Sequence, residues 1–265
     1  MSFETKVMQI KNSIRYSTIQ PYKFYILKDK YRKEREKTIN RLSLDRSVLS
    51  ITNESLYKGF DEYVNDYKDV EKRILSNIEE VTKNTDIKIH GIQYPDFLYF
   101  IIRKIKPGRV LETGVWLGLS TNFILSAGTN YSSNFQLDSI DLPRFEIQDS
   151  KQYQGILVEK KFKENWNLYV GKDRKHLKNL ICKYKYDLFY FDSDKSLNGK
   201  MFLFETTKKH NNDYFMIFDD IEDNNFWYRK ELSNENKILI EYNNKYFGII
   251  YSDKYSPYVG KLYEK

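Results

Sequence analysis

Two groups of residues in this 265-residue chain have the types and spacing to do chemistry. The first is Arg109-Val110-Leu111-Glu112-Thr113-Gly114-Val115-Trp116-Leu117-Gly118-Leu119-Ser120-Thr121. It reads as a short buried strand that meets an acid, turns through two glycines and starts a helix near Ser120. Glycines in such a turn bring bare backbone N–H groups close to a ligand. Their Gly-x-x-x-Gly spacing is not the Gly-x-Gly-x-x-Gly of dinucleotide sites, and no Gly-Lys-Ser/Thr follows to seat a nucleoside triphosphate. The second group is a row of acids, each closing an apolar run: Asp141, then Asp173 just past Gly171, then Asp192, then Asp219-Asp220. Ligands of open α/β sheets bind beyond the carboxyl ends of the strands. Carboxylates repeated along that edge ask for a cationic or hydroxyl-bearing ligand.

The elements that must position these residues follow from hydrophobic period. Strands are predicted at 109–111, 136–140, 166–170, 186–191 and 214–218, with helices at 120–127, 149–162, 174–184 and 197–210. Such alternation gives a parallel sheet covered on both faces. Two further strands, 237–242 and 246–251, are joined by the hairpin signal Asn243-Asn244-Lys245. A helix after Tyr94-Pro95, carrying Phe97, Leu98, Ile101, Ile102 and Ile105, leads into the glycine turn through Lys106-Pro107-Gly108. The first 90 residues read as mostly helical. Leu56, Phe60, Tyr63, Tyr67, Val70, Ile74, Ile78 and Val81 form one helical stripe, capped at Asn53 or Ser55 and ending near Asn84. That stripe must bury itself on the rest of the chain or, through the 55–84 helix, on a second copy.

Composition narrows the class. The lone Cys182 cannot form an internal disulfide, and no Cys/His cluster offers a zinc site. No apolar run approaches the roughly 20 residues of a membrane span, so a cytoplasmic protein is expected. Residues 1–50 hold 12 Lys/Arg against 5 Asp/Glu, which is where the net charge of +7 resides. The basic stretch from Lys23 to Arg41 reads either as a grip on an anionic surface or as a solvated helix face with Glu34 and Glu36 interspersed.

Glu112-x-Gly114-x-x-x-Gly118-x-Ser120 resembles the first motif of class I S-adenosylmethionine-dependent methyltransferases. The resemblance implies a Rossmann-like α/β fold over residues 91–265, with seven strands in the order 3-2-1-4-5-7-6, the last antiparallel. Residues 1–90 would be a helical extension that serves as a lid or dimer contact. Glu112, Gly114, Gly118, Ser120, Asp141, Gly171, Asp173 and Asp192 would bind S-adenosylmethionine. Of these, Asp141 would hold the ribose hydroxyls, since one carboxylate accepts both hydrogen bonds. Gly171 and Asp173 would flank the adenine, and His90-Gly91-Ile92-Gln93 would cover the methionine end.

Phe191-Asp192-Ser193-Asp194-Lys195 with Phe218-Asp219-Asp220 resembles the catechol and caffeoyl-CoA type of O-methyltransferase and its bacterial sugar and antibiotic relatives. By that resemblance Asp192, Asp219 and Asp220 hold a divalent cation, Mg²⁺ first. Lys195, assisted by Asp192, would take the proton of an acceptor hydroxyl on a small molecule or sugar, with its pKa lowered by a desolvated, cation-flanked site. The chain departs from the plant and animal enzymes at Asp220, where they carry Asn. Asp223-Asn224-Asn225-Phe226-Trp227-Tyr228 would line the acceptor pocket or simply pack. Two other readings stand beside this one: an RNA methyltransferase gripping phosphates with the basic arm, although the core lacks an Asn-Pro-Pro-Tyr type motif and nucleic acid is a poor match to its balanced charge; or a cofactor-binding scaffold subunit without catalysis.

Overall fold

The computed structural model describes residues 21–83, 94–144, 147 and 149–260. Within them an eight-stranded sheet runs in the order β1-β7-β8-β6-β5-β2-β3-β4. β2 (Arg109–Thr113) is central, flanked by β3 (Gln136–Asp141) and β4 (Trp166–Val170) on one side. β5 (Leu188–Phe191), β6 (Phe215–Phe218), β8 (Lys245–Tyr251) and β7 (Asn236–Tyr242) follow on the other. All pairings are parallel except those of β8, which runs against both β6 and β7. β5 and β6 are apolar at every position because both of their faces are covered. The expected seven-strand order is present.

An eighth strand was not expected. β1 (Val48–Ile51) pairs parallel with β7, Val48 opposite Leu239, and so the N-terminal segment extends the sheet. Only four residues long, it is too short to stand out from the helical pattern around it.

The apolar stripe from Leu56 forms two helices, α2 (Asn53–Gly59) and α3 (Asp61–Lys83), broken at Phe60. The N-cap is Thr52, whose side chain accepts from Ser55 N–H while Ser55 answers the Thr52 backbone, a reciprocal capping box. Leu56, Phe60, Tyr63, Tyr67, Val70 and Ile74 are buried against α4 (Pro95–Ile105) and α5 (Leu119–Tyr131). Tyr67 lies edge-on to Phe100 at 5.4 Å and stacks on Phe123 at 5.9 Å. The stripe is therefore core. Its far end at Asn84 lies outside the described residues, as do residues 84–93 with His90.

On the opposite face α6 (Asp173–Lys183) and α7 (Leu197–His210) cover the sheet. α1 (Pro21–Leu44) docks at the same face through the buried Leu42. Part of its basic stretch is a solvated face, where exposed Arg32 and Lys33 pair with Asp29 inside the helix. Two of its arginines also reach the protein's own loop after β6. Arg35 reaches Glu222 and Asp223 at 3.3 Å, and Arg41 lies 3.5 Å over the Tyr228 ring.

The helix expected over 149–162 is absent. Two 3₁₀ turns, Ser150–Tyr153 and Lys160–Phe162, bracket a strap whose N–H groups go to the glycine turn instead of to a helix. Gly155 N donates to Trp116 O at 2.7 Å and Leu157 N to Leu117 O at 2.9 Å. None of the described helices is long and apolar enough to cross a membrane.

If the long stripe is core, Tyr67→Ala should cost about 3–5 kcal/mol, as other buried aromatic truncations do. Urea unfolding followed by circular dichroism measures this; a loss below about 1 kcal/mol contradicts the packing.

Candidate functional site

The sheet ladder itself assembles the acidic cluster. Asp192 N bonds Thr113 O at 2.9 Å, and Asp219 N bonds Phe191 O at 3.0 Å, so each acid sits one step past its strand and beside the next. Asp220 follows with φ 49°, a left-handed backbone that aspartate tolerates better than most residues. Such local strain persists where surrounding contacts impose it, commonly at functional sites. Carboxylate oxygens of Asp192, Asp219 and Asp220 come within 4.8 Å of one another. That separation and an all-oxygen donor set suit one hard divalent cation, so these residues fit the expected metal.

Lys195 lies in the middle of the three. Its Nζ is 3.1 Å from Asp192 Oδ1 and 3.9 Å from Asp219 Oδ2, and it pairs with Asp220 Oδ2. Desolvation alone would lower its pKa, but Asp192 and Asp219 outweigh burial and raise it above the usual lysine value. The lowered pKa expected for this lysine is thus not its state when only carboxylates surround it. Here it is an ammonium held among three carboxylates. Asp192 is raised by burial and by the adjacent Asp219, whereas Asp219, despite burial, is lowered by Lys195 and Lys245.

Several partners were invisible in the motif pattern. Tyr94 OH donates to Asp219 Oδ1 at 2.7 Å, with its ring stacked 4.3 Å from Phe247. Lys245, at the start of β8, pairs with Asp220 Oδ1 and lies 3.2 Å from Glu222 Oε1. Lys200, buried in the first turn of α7, donates to Asp220 O, and burial lowers its pKa to about 8. Asn224 ties the two loops together, donating from Nδ2 to Lys195 O at 2.6 Å. Phe226 and Trp227 are buried, which makes them packing residues.

The glycine turn lies beside this cluster. A Cβ at Gly114, where φ is 88°, would fall 2.7 Å from Asp192 O; one at Gly118 would meet Val158 and Gly155. Glycine is needed at both positions because the chain's own backbone, in the strap and the next strand, approaches so closely. Glu112 is fully buried beneath the turn. Its carboxylate accepts from Ser120 Oγ (2.6 Å), Thr121 Oγ1 (2.8 Å) and Ser139 Oγ (2.8 Å), locking β2, β3 and α5 together.

Asp141 does face the turn. Its Oδ1 accepts Val115 N–H at 3.1 Å and its Oδ2 accepts from Gln154 of the strap. Gln154 Oε1 and Trp116 Nε1, an acceptor and a donor in this same neighbourhood, are buried with no partner among the described residues. Unsatisfied buried polar atoms are costly, and a pair of them around Asp141 fits a polar ligand. Gly171 N bonds Asp141 O at 2.8 Å, and Asp173 accepts from Ser193 Oγ at 2.6 Å, which joins the loop after β4 to the loop carrying Lys195.

Residues 111–221, from the glycine turn to the acidic cluster, match a family model described as a methyltransferase domain. The sheet around this stretch has the strand order of the class I methyltransferase fold. Solved structures share the methyltransferase fold. A protein of Staphylococcus aureus provisionally assigned as a caffeoyl-CoA O-methyltransferase is 16% identical with a TM-score of 0.53, over 72% of this chain and 98% of its own. The O-methyltransferase of Bacillus cereus, solved with S-adenosylhomocysteine, is 13% identical with a TM-score of 0.52, over 68% of this chain and 91% of its own. A search of curated proteins finds no match to this chain.

Burial raises Glu112 from 4.5 to about 7 despite its three hydroxyl donors. The folded protein therefore holds this proton more tightly than the unfolded chain, and stability falls as pH rises through that window. Glu112→Gln should flatten that fall, so melts at about pH 5 and about pH 7.5 should differ less for the variant than for the parent. Equal differences would mean that Glu112 is ionised throughout.

Proposed function

We propose that this methyltransferase moves the methyl group of S-adenosylmethionine to a hydroxyl oxygen of a small molecule or sugar, assisted by a divalent cation. The observation that carries the reading is the convergence of Asp192, Asp219 and Asp220 around Lys195 at the edge where the glycine turn opens. Asp141 would hold the ribose diol, with Gln154 as the contact that the diol replaces or joins. Trp116 Nε1 and Gln154 Oε1 would find their partners on the cofactor.

Asp192, Asp219 and Asp220 would hold the cation, which when bound supplies positive charge that makes an acceptor hydroxyl more acidic. Tyr94 keeps one oxygen of Asp219 engaged and thereby fixes the rotation of that carboxylate. Lys195 can accept a proton only once the carboxylate charge around it is neutralised; otherwise it stays an ammonium and acts as a donor. The remaining catalytic contribution is positional, since transfer of a methyl group needs oxygen, carbon and sulfur in line. A small acceptor fits the charge distribution better than RNA does, because Arg35 and Arg41 of the basic arm are committed to the protein's own loop.

Two substitutions separate the parts. Asp141→Ala should weaken S-adenosylhomocysteine binding roughly 10–100-fold, the cost of a charged hydrogen-bonding group. Asp219→Ala should leave that binding within about threefold and abolish any divalent-metal dependence of methyl transfer to a catechol or sugar panel. Calorimetry with the demethylated cofactor and turnover with and without chelator measure both. An Asp219→Ala enzyme that turns over in chelator as fast as the parent does with metal would exclude the metal.

A further inference from the structure

Two lysines touch the acidic cluster, and geometry gives them different places in it. Lys195 lies within 4 Å of all three carboxylates, so its ammonium occupies the space a metal ion would need. Lys245 stands outside. Among the described residues its ion pairs are with Asp220 Oδ1 and Glu222 Oε1, while Asp220 Oδ2 is the oxygen that pairs with Lys195. A cation can therefore displace Lys195 and leave Lys245 where it is.

Topology makes the placement firm. β8 is the strand that runs against its neighbours, so its first residue lies at the edge where the parallel strands end. Asn243 and Asn244, at φ 51° and 61°, form a two-residue primed turn that sets Lys245 opposite Tyr242. With Gly248 paired to Phe218, Lys245 projects three residues past the end of β6, alongside Asp219 to Glu222.

The charges then balance. Three carboxylates around a divalent ion leave one negative charge in a poorly solvated place, which is expensive unless paired. We propose that Lys245 is a positioning residue that cancels the charge of Asp220 from the far side, so that the Asp220–Lys245 pair presents one neutral oxygen ligand to the cation. This rests on the metal reading above. It predicts that the parent binds divalent cations less tightly than its three acids alone would, because a fixed positive charge stands behind one of them.

The test is direct binding of Mn²⁺ to the full chain without cofactor, read from the paramagnetic resonance signal of free Mn²⁺, with thermal melts confirming each fold. Lys245→Gln should bind Mn²⁺ roughly tenfold more tightly than the parent, while Lys245→Arg should stay within about twofold. A lysine that merely props the hairpin would give the opposite sign, weaker binding in Lys245→Gln. Unchanged or weaker binding in a folded Lys245→Gln overturns the proposal and leaves the metal reading intact. A parent that binds no Mn²⁺ overturns the metal reading, and the proposal with it. Should Lys245→Gln alone fail to fold, Asp220→Asn and Asp220→Asn/Lys245→Gln decide: the double variant should again bind roughly tenfold more tightly than Asp220→Asn, and equality overturns the proposal.

Discussion

Carboxylates of like charge cannot be brought together at the ends of adjacent strands unless something positive comes with them. In this protein that requirement organises a large part of the molecule. Asp192, Asp219, Asp220, Glu222 and Asp223 follow β5 and β6 in close succession, and their counter-charges arrive from four separate segments. Lys195 comes from the loop after β5, Lys200 from α7, Lys245 from the hairpin and Arg35 from α1. Taking a partner from a buried pair costs more than never having made it, so each of these segments is held to its place by the charge it answers. The sheet brings the acids together, and the acids in turn recruit the periphery.

The cofactor side is built on a different principle. There the acid nearest the motif, Glu112, is satisfied by hydroxyls alone and serves as a rivet beneath the turn. The glycines above it let the strap at 154–158 lie flat on the turn, and the strap delivers Gln154 to Asp141. Hydroxyl and amide partners carry no net charge, so this half of the crevice can change partners at low electrostatic cost. The other half, crowded with ion pairs, cannot.

Much of this was legible in the residues. Acids that close apolar runs mark the edge of a parallel sheet, because an unpaired charge is costly inside a covered strand; hence Asp141, Asp192, Asp219 and Asp220 were found where expected. The hairpin was legible because two asparagines favour positive φ. What escaped came from long-range packing. Lys245 reads as part of a turn signal, and only the antiparallel course of β8 brings it to the acids. Arg35 and Tyr94 lie far along the chain from Asp223 and Asp219, and nothing in their own neighbourhoods announces the contact. The bond between Ser120 and Glu112 was not legible either, because motif spacing does not say which of its residues meet one another. The strap was misread as a helix because its apolar residues, Leu157 and Val158 among them, serve the turn and not a helical face.

The eighth strand carries a consequence for how the chain reaches this state. Val48 to Ile51 leave the ribosome ahead of their partners, Leu239 to Tyr242, and the rest of the sheet but β8 is encoded between them. This sheet edge cannot close until β7 is available, and pairing across so much intervening chain is slow. Until then the nascent β1 segment waits with unmet backbone groups, the condition in which strand edges find wrong partners. Its flanking helix, dense in charge, keeps that wait in water.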